Sequence, residues 1–354
     1  MKILHDLNGR PYFEALEKVV KLDYYESSII KLIIRAVVKN DYANLSLIRI
    51  WKNLIFRFKV PFISGDTILI GMSPYDFRII WYGMLCFKNN IVLHTSWPYW
   101  GGSKYPRKYF FLDGFLKKVW VGFLTNKNVK IVAVTKESCD SISLFCGRND
   151  VYLINHCVNL TKFSVDTYSL KRRGSSKKIK LLFVGKLIYE KGIDFLLNLF
   201  LCLNNSNFQL TIVGDGDQSL REIIQNVNVE GCTYLGWVSN KDELSKIYRS
   251  HDILLLPSRA TSKWEELFGL VLIEAMASGL VVISSNHVGP RSIIKDNGFL
   301  LPEDSINLWL EKLNLLYQDR ELLEKYKERS LLLSKDYEIN YISKQWVEVL
   351  GNIS

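Results

Sequence analysis

The sequence predicts an α/β fold made of parallel sheets wound on both sides, laid down twice along 354 residues. Three observations carry this. Short, continuous, β-branched-rich runs recur along the chain, the pattern of strands buried on both faces. Most are followed by a helix-like stretch, and strand, helix, strand at this pace implies parallel pairing through crossovers. A polar, basic segment interrupts the series near the middle, and a fresh series begins after it.

In chain order, the strand-like runs of the first half include a first strand ahead of Asn8 and residues 67–72, 90–95, 129–135 and 151–157. A seam follows at 165–180, where DTYSLKRRGSSKKIK (166–180) holds little apolar content until Ile179 and reads as a linker. The second half then offers runs at 180–184, 209–213, 233–235, 253–257 and 280–284. The expected domains are 1–165 and 177–336. The two halves share an architecture but no sequence repeat. The longest mostly apolar stretch, 267–283, contains Glu274, Ser278 and two glycines, so it reads as a buried helix followed by a strand. YEINYISKQWVEVL (337–350) has helical spacing of its apolar residues.

Composition is that of a globular chain. Apolar residues make up 48% and charged residues 23%, which leaves enough to fill two cores and excludes disorder. The formal charge of +10 is uneven: residues 1–150 hold 22 Lys/Arg against 12 Asp/Glu, whereas 151–354 hold 24 of each. The first half therefore suits an anionic partner, although a solvated basic face has the same composition. The six cysteines, Cys86, Cys139, Cys146, Cys157, Cys202 and Cys232, form no CxxC pair. They read as free thiols of a cytosolic protein, several of them buried. The first residues meet Asp6 and Asn8 before any useful apolar stretch, so no secretory signal is expected. No uninterrupted apolar run has spanning length.

The strongest chemical signal is WEELFGLVLIEAMASG (264–279). A chain that turns at Phe268 and Gly269 and then enters a helix leaves free N–H groups at Gly269, Leu270 and Val271. Those groups and the helix dipole suit a diphosphate. Glu266 precedes the helix and can accept hydrogen bonds from sugar hydroxyls. Glu274, further along it, can reach a ribose diol. An ordinary core helix with an incidental Glu is the competing reading, and burial of an unpartnered carboxylate weighs against it.

A second signal is LLFVGKLIYEKGIDFLL (181–197), where a strand ends at Gly185 and a loop carries Lys186 and Lys191 to a helix start. Two cations there would grip phosphate and neutralise a leaving diphosphate. A third is LTIVGDGDQ (210–218), a strand running into a turn at Gly214, followed by TYLGWVSNKDEL (233–244). Trp237, beside Val238, either covers a nucleobase or packs in the core.

These three segments, in this order and spacing, resemble the retaining GT-B glycosyltransferases of family 4. The resemblance covers residues 180–302 and extends weakly to both ends. It implies two Rossmann-like domains facing each other across a cleft, with a UDP- or GDP-sugar seated mainly on the second domain. By that analogy Glu266 contacts the transferred sugar, Glu274 the ribose, and Lys186 and Lys191 the diphosphate. Lys186 stands where relatives more often have Arg, keeping the charge but losing bidentate geometry. The resemblance implies no metal and no cofactor beyond the donor. Asp215 and Asp217 have the spacing of a metal pair but fall in the family's glycine-rich turn. NIVLHTSWPYWGG (90–102) places His94 where the family often sets a histidine near the reacting sugar. Gly9, in Asn8-Gly9-Arg10, is the single glycine where many relatives have a pair approaching the donor phosphate. Ser292 stands where relatives often have Glu and receives no role. The family also suggests that residues 337–354 pack back on the first domain.

The implied reaction retains anomeric configuration. The diphosphate leaves, an oxocarbenium-like sugar forms, and the acceptor attacks from the same face. No protein nucleophile is evident beside Glu266. The implied acceptor is a glycan carried on polyprenyl diphosphate, in surface polysaccharide or O-antigen assembly on the cytoplasmic face of a bacterial plasma membrane. Two segments mix Lys/Arg with aromatics, IRIWKNLIFRFKV (48–60) and SKYPRKYFFLDGFLKKVWVGFL (103–124). Such segments either lie at an anionic bilayer or are packed helices with snorkelling lysines. Three rival functions share some features: a nucleotide-sugar epimerase, a non-catalytic carbohydrate-binding relative, and a nucleic-acid binder, the last suggested by charge alone and without a recognised motif.

Overall fold

In the first half, six short runs do pair, and all in parallel. The computed structural model describes residues 1–5, 11–26, 47–102, 111–164, 177–203, 206–226 and 230–351. Strands β1 (Lys2–His5), β2 (Asp23–Glu26), β3 (Thr67–Ile70), β4 (Asn90–Thr95), β5 (Val129–Ala133) and β6 (Val151–Leu153) form one sheet in the order β2-β1-β3-β4-β5-β6. The register sets His94 opposite Val132 and Thr95 opposite Ala133. Central strands are buried along most of their length, as at Ile91, Val92 and Leu93, because helices cover both faces. The core on one side gathers Ile68, Ile70, Leu93, Trp100, Trp120 and Ile131.

The second half repeats the plan with β7 (Ile179–Val184), β8 (Phe208–Val213), β9 (Cys232–Gly236), β10 (Ile253–Leu256), β11 (Val281–Ser285) and β12 (Gly298–Leu301), again all parallel. Their order is β12-β11-β10-β7-β8-β9. β9 alternates half-buried and exposed residues, as an edge strand does, and a register shift at Ile212/Val213 bends it from β8. Phe183, Phe195, Phe200, Phe208 and Trp309 fill the core on one face.

The chain thus divides into two compact units: Met1–His156 with Ile342–Ser354, and Cys157–Tyr341. The last helix, Ile339–Gly351, delivers its later residues to the first unit, where Ser343 Oγ donates to the Ala15 carbonyl at 2.9 Å and Lys130 Nζ donates to the Val349 carbonyl at 2.9 Å.

Burial of a lysine in the second unit shows how tightly its sheet is covered. Lys327, on the helix Arg320–Ser334, has no exposed side-chain surface. It reaches Asp252 and Glu324, each at 2.8 Å. Asp252 also accepts from the Lys180 N–H at 2.9 Å, so the charge network clamps the helix to the entry ends of β7 and β10. The thiols are all free; Cys86, Cys139, Cys146 and Cys157 are buried, Cys232 is half-buried and Cys202 is exposed. Among the described residues no helix is long and apolar enough to cross a membrane. The apolar run at 267–283 resolves into the helix Leu270–Ala277 and β11.

Candidate functional site

The order of the second sheet has one point where successive connections diverge. From β7 the chain moves outward to β8 and β9; from β10 it moves the other way to β11 and β12. In open parallel sheets the crevice beyond the carboxyl ends of such a strand pair is where ligands bind. The loops leaving β7 and β10 carry Lys186, Lys191, Glu266 and Gly269.

These two loops touch. After β7 the chain makes a single turn of 3-10 helix, Tyr189–Lys191, and reaches Gly192 in the left-handed region at φ +68°. A Cβ on Gly192 would lie 1.9 Å from the Pro257 carbonyl oxygen, so only hydrogen fits there. Arg259 reinforces the contact: its N–H donates to the Glu190 carbonyl at 2.8 Å, and its guanidinium binds both oxygens of Asp194 at 2.6 Å.

Lys191 is thereby held against Glu266. The two form an ion pair with side chains only 17% and 11% exposed. The Lys191 ammonium also lies 5.2 Å from the centre of the Trp264 ring, and Ser258 Oγ sits 3.5 Å from Glu266 Oε2. The Glu266 backbone is fixed as well. Its N–H donates to His287 Nδ1 at 3.3 Å, and its carbonyl accepts from Gly289 N–H at 3.0 Å. Because Nδ1 accepts, the imidazole proton resides on Nε2, which faces Glu303 Oε1 at 2.7 Å. Glu303 in turn accepts from the Ala260 N–H at 3.1 Å, closing a ring of hydrogen bonds around the loop that carries Glu266.

Beyond Glu266 the backbone turns at Gly269, with φ +93°, and the helix Leu270–Ala277 begins. Its first N–H groups, at Leu270 and Val271, have no partner within the helix and present partial positive charge. Phe268 is buried with its ring 6.2 Å from that of Tyr337. Gly289 allows the close approach of the next segment, since a Cβ there would be 2.2 Å from the Phe268 nitrogen. Glu274 is half-buried and accepts from Tyr248 Oη at 2.9 Å. Burial and the neighbouring Glu274 carboxylate raise the Tyr248 phenol well above its ordinary pKa, so it stays a hydrogen-bond donor.

The glycine-rich turn after β8 has a packing role. A Cβ on Gly214 would lie 1.8 Å from the Gly185 carbonyl oxygen, and one on Gly216 would lie 2.1 Å from that of Leu187. Leu187 bonds along the backbone to Asp215 and Asp217 at 3.0 and 2.8 Å, so the loops after β7 and β8 are stitched together. Lys186 is exposed on this stitched surface. Trp237 is 71% exposed, which removes the core alternative for it, and Val238 beside it is half-buried. Asp215 pairs with Arg221 at 3.3 Å. Among the described residues no group of three or more His, Cys, Asp or Glu is arranged to hold a metal ion.

In the first unit His94, next to last in β4, lies inside an aromatic cluster. Its ring lies 4.9 Å from Phe13, 5.7 Å from His156, and 6.2 Å from both His5 and Trp346. Three of the chain's five histidines thus meet at one place. Burial, and then repulsion from the neighbouring rings, holds the His94 pKa well below its ordinary value; burial pushes His156 down to about 3. Both are neutral at pH 7. Gly9 lies outside the described residues.

The structure therefore brings Lys191, Glu266 and Gly269 together around one crevice, with Lys186 and Trp237 on adjoining loops. Sequence reasoning missed His287, Glu303, Ser258 and Tyr248. His287 and Glu303 each stand two residues beyond a strand's carboxyl end, the same rule that singled out the two lysines, and it could have been applied to them.

Residues 166–331 match the family described as Glycosyl transferases group 1. The chain is 36% identical over 137 residues to an uncharacterized 41.2 kDa protein in the cps region of Klebsiella pneumoniae, covering 38% of this chain and 36% of that protein. It is 29% identical over 228 residues to the amylovoran biosynthesis glycosyltransferase AmsD of Erwinia amylovora, covering 63% of this chain and 62% of the relative. The matched parts are thus less than two thirds of these relatives' lengths. In fold, it is similar to Anabaena HepE solved with UDP, with a TM-score of 0.70, 14% identity, and coverage of 99% of this chain and 100% of that one. The two-sheet architecture is that of the GT-B glycosyltransferases. The matched segment contains the residues just described, from Gly185 to Glu303.

Proposed function

We propose that this chain is a retaining, metal-independent glycosyltransferase that moves a hexosyl group from a nucleoside-diphosphate sugar to a glycan acceptor in surface polysaccharide assembly. The observation that carries this reading is the Lys191–Glu266 pair at the switch point, placed just before the helix start at Gly269 within the matched segment. An entering diphosphate would be held by the helix-start N–H groups and would draw Lys191 away from Glu266. Glu266 is then released to accept hydrogen bonds from the sugar hydroxyls. Lys186 and Lys191 stabilise the charge that develops on the leaving diphosphate. Glu274, oriented by Tyr248, receives the ribose, and Trp237 covers the base.

The names of the relatives, in amylovoran biosynthesis and a cps region, support an acceptor in capsule or exopolysaccharide assembly. The acceptor chemistry we favour is a polyprenyl-diphosphate-linked glycan at the inner face of the plasma membrane. HepE is solved with UDP, which favours UDP over GDP as the first donor nucleotide to test.

The test is a thermal-shift screen against UDP, GDP and their common sugars. Ligand at about 100 times its dissociation constant stabilises by about 2.7 kcal/mol. A shift with one nucleotide that is lost in Glu274→Ala supports the donor site. Transfer assayed with that donor should be nearly abolished in Glu266→Ala, and NMR of the product should show the donor's anomeric configuration. Near wild-type transfer by Glu266→Ala, or turnover of donor into an epimer without acceptor, overturns the proposal.

A further inference from the structure

The helix Leu47–Lys59 has an outward face that nothing among the described residues covers. Asn53, Phe56 and Val60 turn inward, with Phe56 stacked on Tyr25 at 4.1 Å. Trp51, Ile55, Phe58 and Phe62 are 62%, 45%, 76% and 81% exposed. Their spacing of four, three and four residues puts them on one stripe, with Phe62 in the turn of 3-10 helix that continues the helix. Single exposed apolar residues are ordinary, but a stripe of three aromatics and an isoleucine is not. The stripe is extended by a neighbour: Trp81, itself exposed, donates from Nε1 to the Arg57 carbonyl at 3.2 Å.

Charge on this surface is net positive. Residues 47–88 hold six Lys/Arg against two Asp. Those two acids are already matched, Asp66 by Lys2 and Asp76 by Arg78. Lys59 and Lys88 are exposed beside the stripe. A hollow of about 640 Å³ opens next to it, lined by Trp51, Ile55 and Ile63 and edged by Lys59 and by two lysines that already carry partners, Lys2 with Asp66 and Lys52 with Asp23. Lys2 begins β1, whereas His5 and His94 stand at the carboxyl ends of β1 and β4, so the hollow is distinct from the histidine cluster.

We propose that this face is a docking surface for an anionic lipid bilayer. The aromatic stripe enters the boundary between headgroups and acyl chains, and the lysines meet the lipid phosphates. The hollow takes a single lipid headgroup at its basic rim. An apolar stripe alone would equally suit a second copy of the chain, but two such basic faces repel each other, whereas an anionic bilayer matches both the charge and the aromatics. This deepens the lipid-linked-acceptor reading by naming the contact surface, and it stands or falls without the sugar chemistry.

The experiment sediments the full chain with vesicles of phosphatidylcholine alone and of phosphatidylcholine mixed with phosphatidylglycerol, at two salt concentrations. Binding should require phosphatidylglycerol and weaken with salt. Trp51→Ala/Phe58→Ala/Phe62→Ala should lower partitioning by at least about tenfold, the result of losing little more than one buried aromatic side chain. Lys59→Gln/Lys88→Gln should weaken binding to the anionic vesicles. Both variants should keep the wild-type thermal shift with nucleotide, because none of these residues belongs to the crevice; that control separates failure of this proposal from failure of the donor reading. Absence of vesicle binding by the wild-type chain overturns the proposal, as does unchanged binding by the aromatic variant. So does equal binding to neutral vesicles. A dimer seen by analytical ultracentrifugation and broken by the aromatic variant, without vesicle binding, assigns the face to a second copy instead.

Discussion

Replacing Lys191 by Met isolates the interaction on which the candidate site is built. Met keeps much of the side-chain length and removes the charge, leaving the Glu266 carboxylate 11% exposed with Ser258 Oγ at 3.5 Å, the outer limit of hydrogen-bond reach. Removing one partner of a buried pair costs about 3–5 kcal/mol. Here partial exposure of both groups lowers that figure, and loss of the ammonium from the Trp264 face adds about 0.5–1 kcal/mol. The expected destabilisation is therefore about 2–4 kcal/mol at pH 7. Glu266→Gln should cost less, about 1–2 kcal/mol, since Lys191 retains Trp264 and some solvent. The double variant Lys191→Met/Glu266→Gln has no orphaned charge, so the cycle should show a coupling of about 2 kcal/mol. Urea unfolding of the four proteins, followed by tryptophan fluorescence, measures it. In a heating scan the single Lys191 variant should melt roughly 5–15 °C lower, at about 2–4 °C per kcal/mol for a unit of this size. Additive effects within about 0.5 kcal/mol would refute the claim that these groups are coupled.

Other expected outcomes follow from packing and titration. Gly214→Ala puts a Cβ 1.8 Å from the Gly185 carbonyl oxygen at φ +147°, so the loops after β7 and β8 must part; a loss of about 3 kcal/mol or more in chemical denaturation is expected, and wild-type stability would show that the stitched loops are dispensable. Lys327→Met leaves Asp252 buried without its cation and should cost about 3–5 kcal/mol, with Lys327→Met/Asp252→Asn recovering part of it; equal loss in the single and double variants would count against the clamp. The histidine cluster predicts acid sensitivity. His94 and His156 are neutral in the fold, with pKa values lowered by burial, and His156 is pushed down to about 3. The unfolded chain takes up their protons below about pH 6.5, so stability is full above that pH and falls as the pH drops from there toward 3. The slope is at most about 1.4 kcal/mol per pH unit for each histidine. His156→Phe should flatten the slope by about that amount, read from denaturation midpoints between pH 6.5 and 4.5; an unchanged slope would remove His156 from the account.

Much of the fold was legible because its central strands are buried on both faces. Such strands must be continuously apolar, and β4, at Asn90–Thr95, has the bounds that its sequence predicted. The strands that escaped notice lie at sheet edges. β2 reads DYYE and makes no apolar run, because one of its sides pairs with no other strand among the described residues and its residues are mostly half-buried. β12 reads GFLL, short and half-buried at the opposite edge of the other sheet. The glycines split in the same way. Gly269 was read as a turn before a helix and has the φ that such a turn needs. Gly214 was read as a turn after a strand, and the contact that excludes a side chain there is with Gly185, twenty-nine positions earlier in the chain, which no local pattern reports.

Periodicity, the loop positions of Lys186 and Lys191 after a strand, the place of Glu266 ahead of a helix and the helix start at Gly269 were all legible in the chain, since each depends on residues a few places apart. Tertiary structure decided which of these meet. Lys191 and Glu266 are 75 residues apart, and their contact exists because β7 and β10 are neighbours at the point where the sheet changes direction. His287 and Glu303 join them because β11 and β12 come next in the same sheet. The meeting of His5, His94 and His156 likewise depends on where β1, β4 and β6 lie in the first sheet. Strand order is set by long-range pairing and by the burial it achieves across a whole sheet, and a local pattern of residue types carries no record of it.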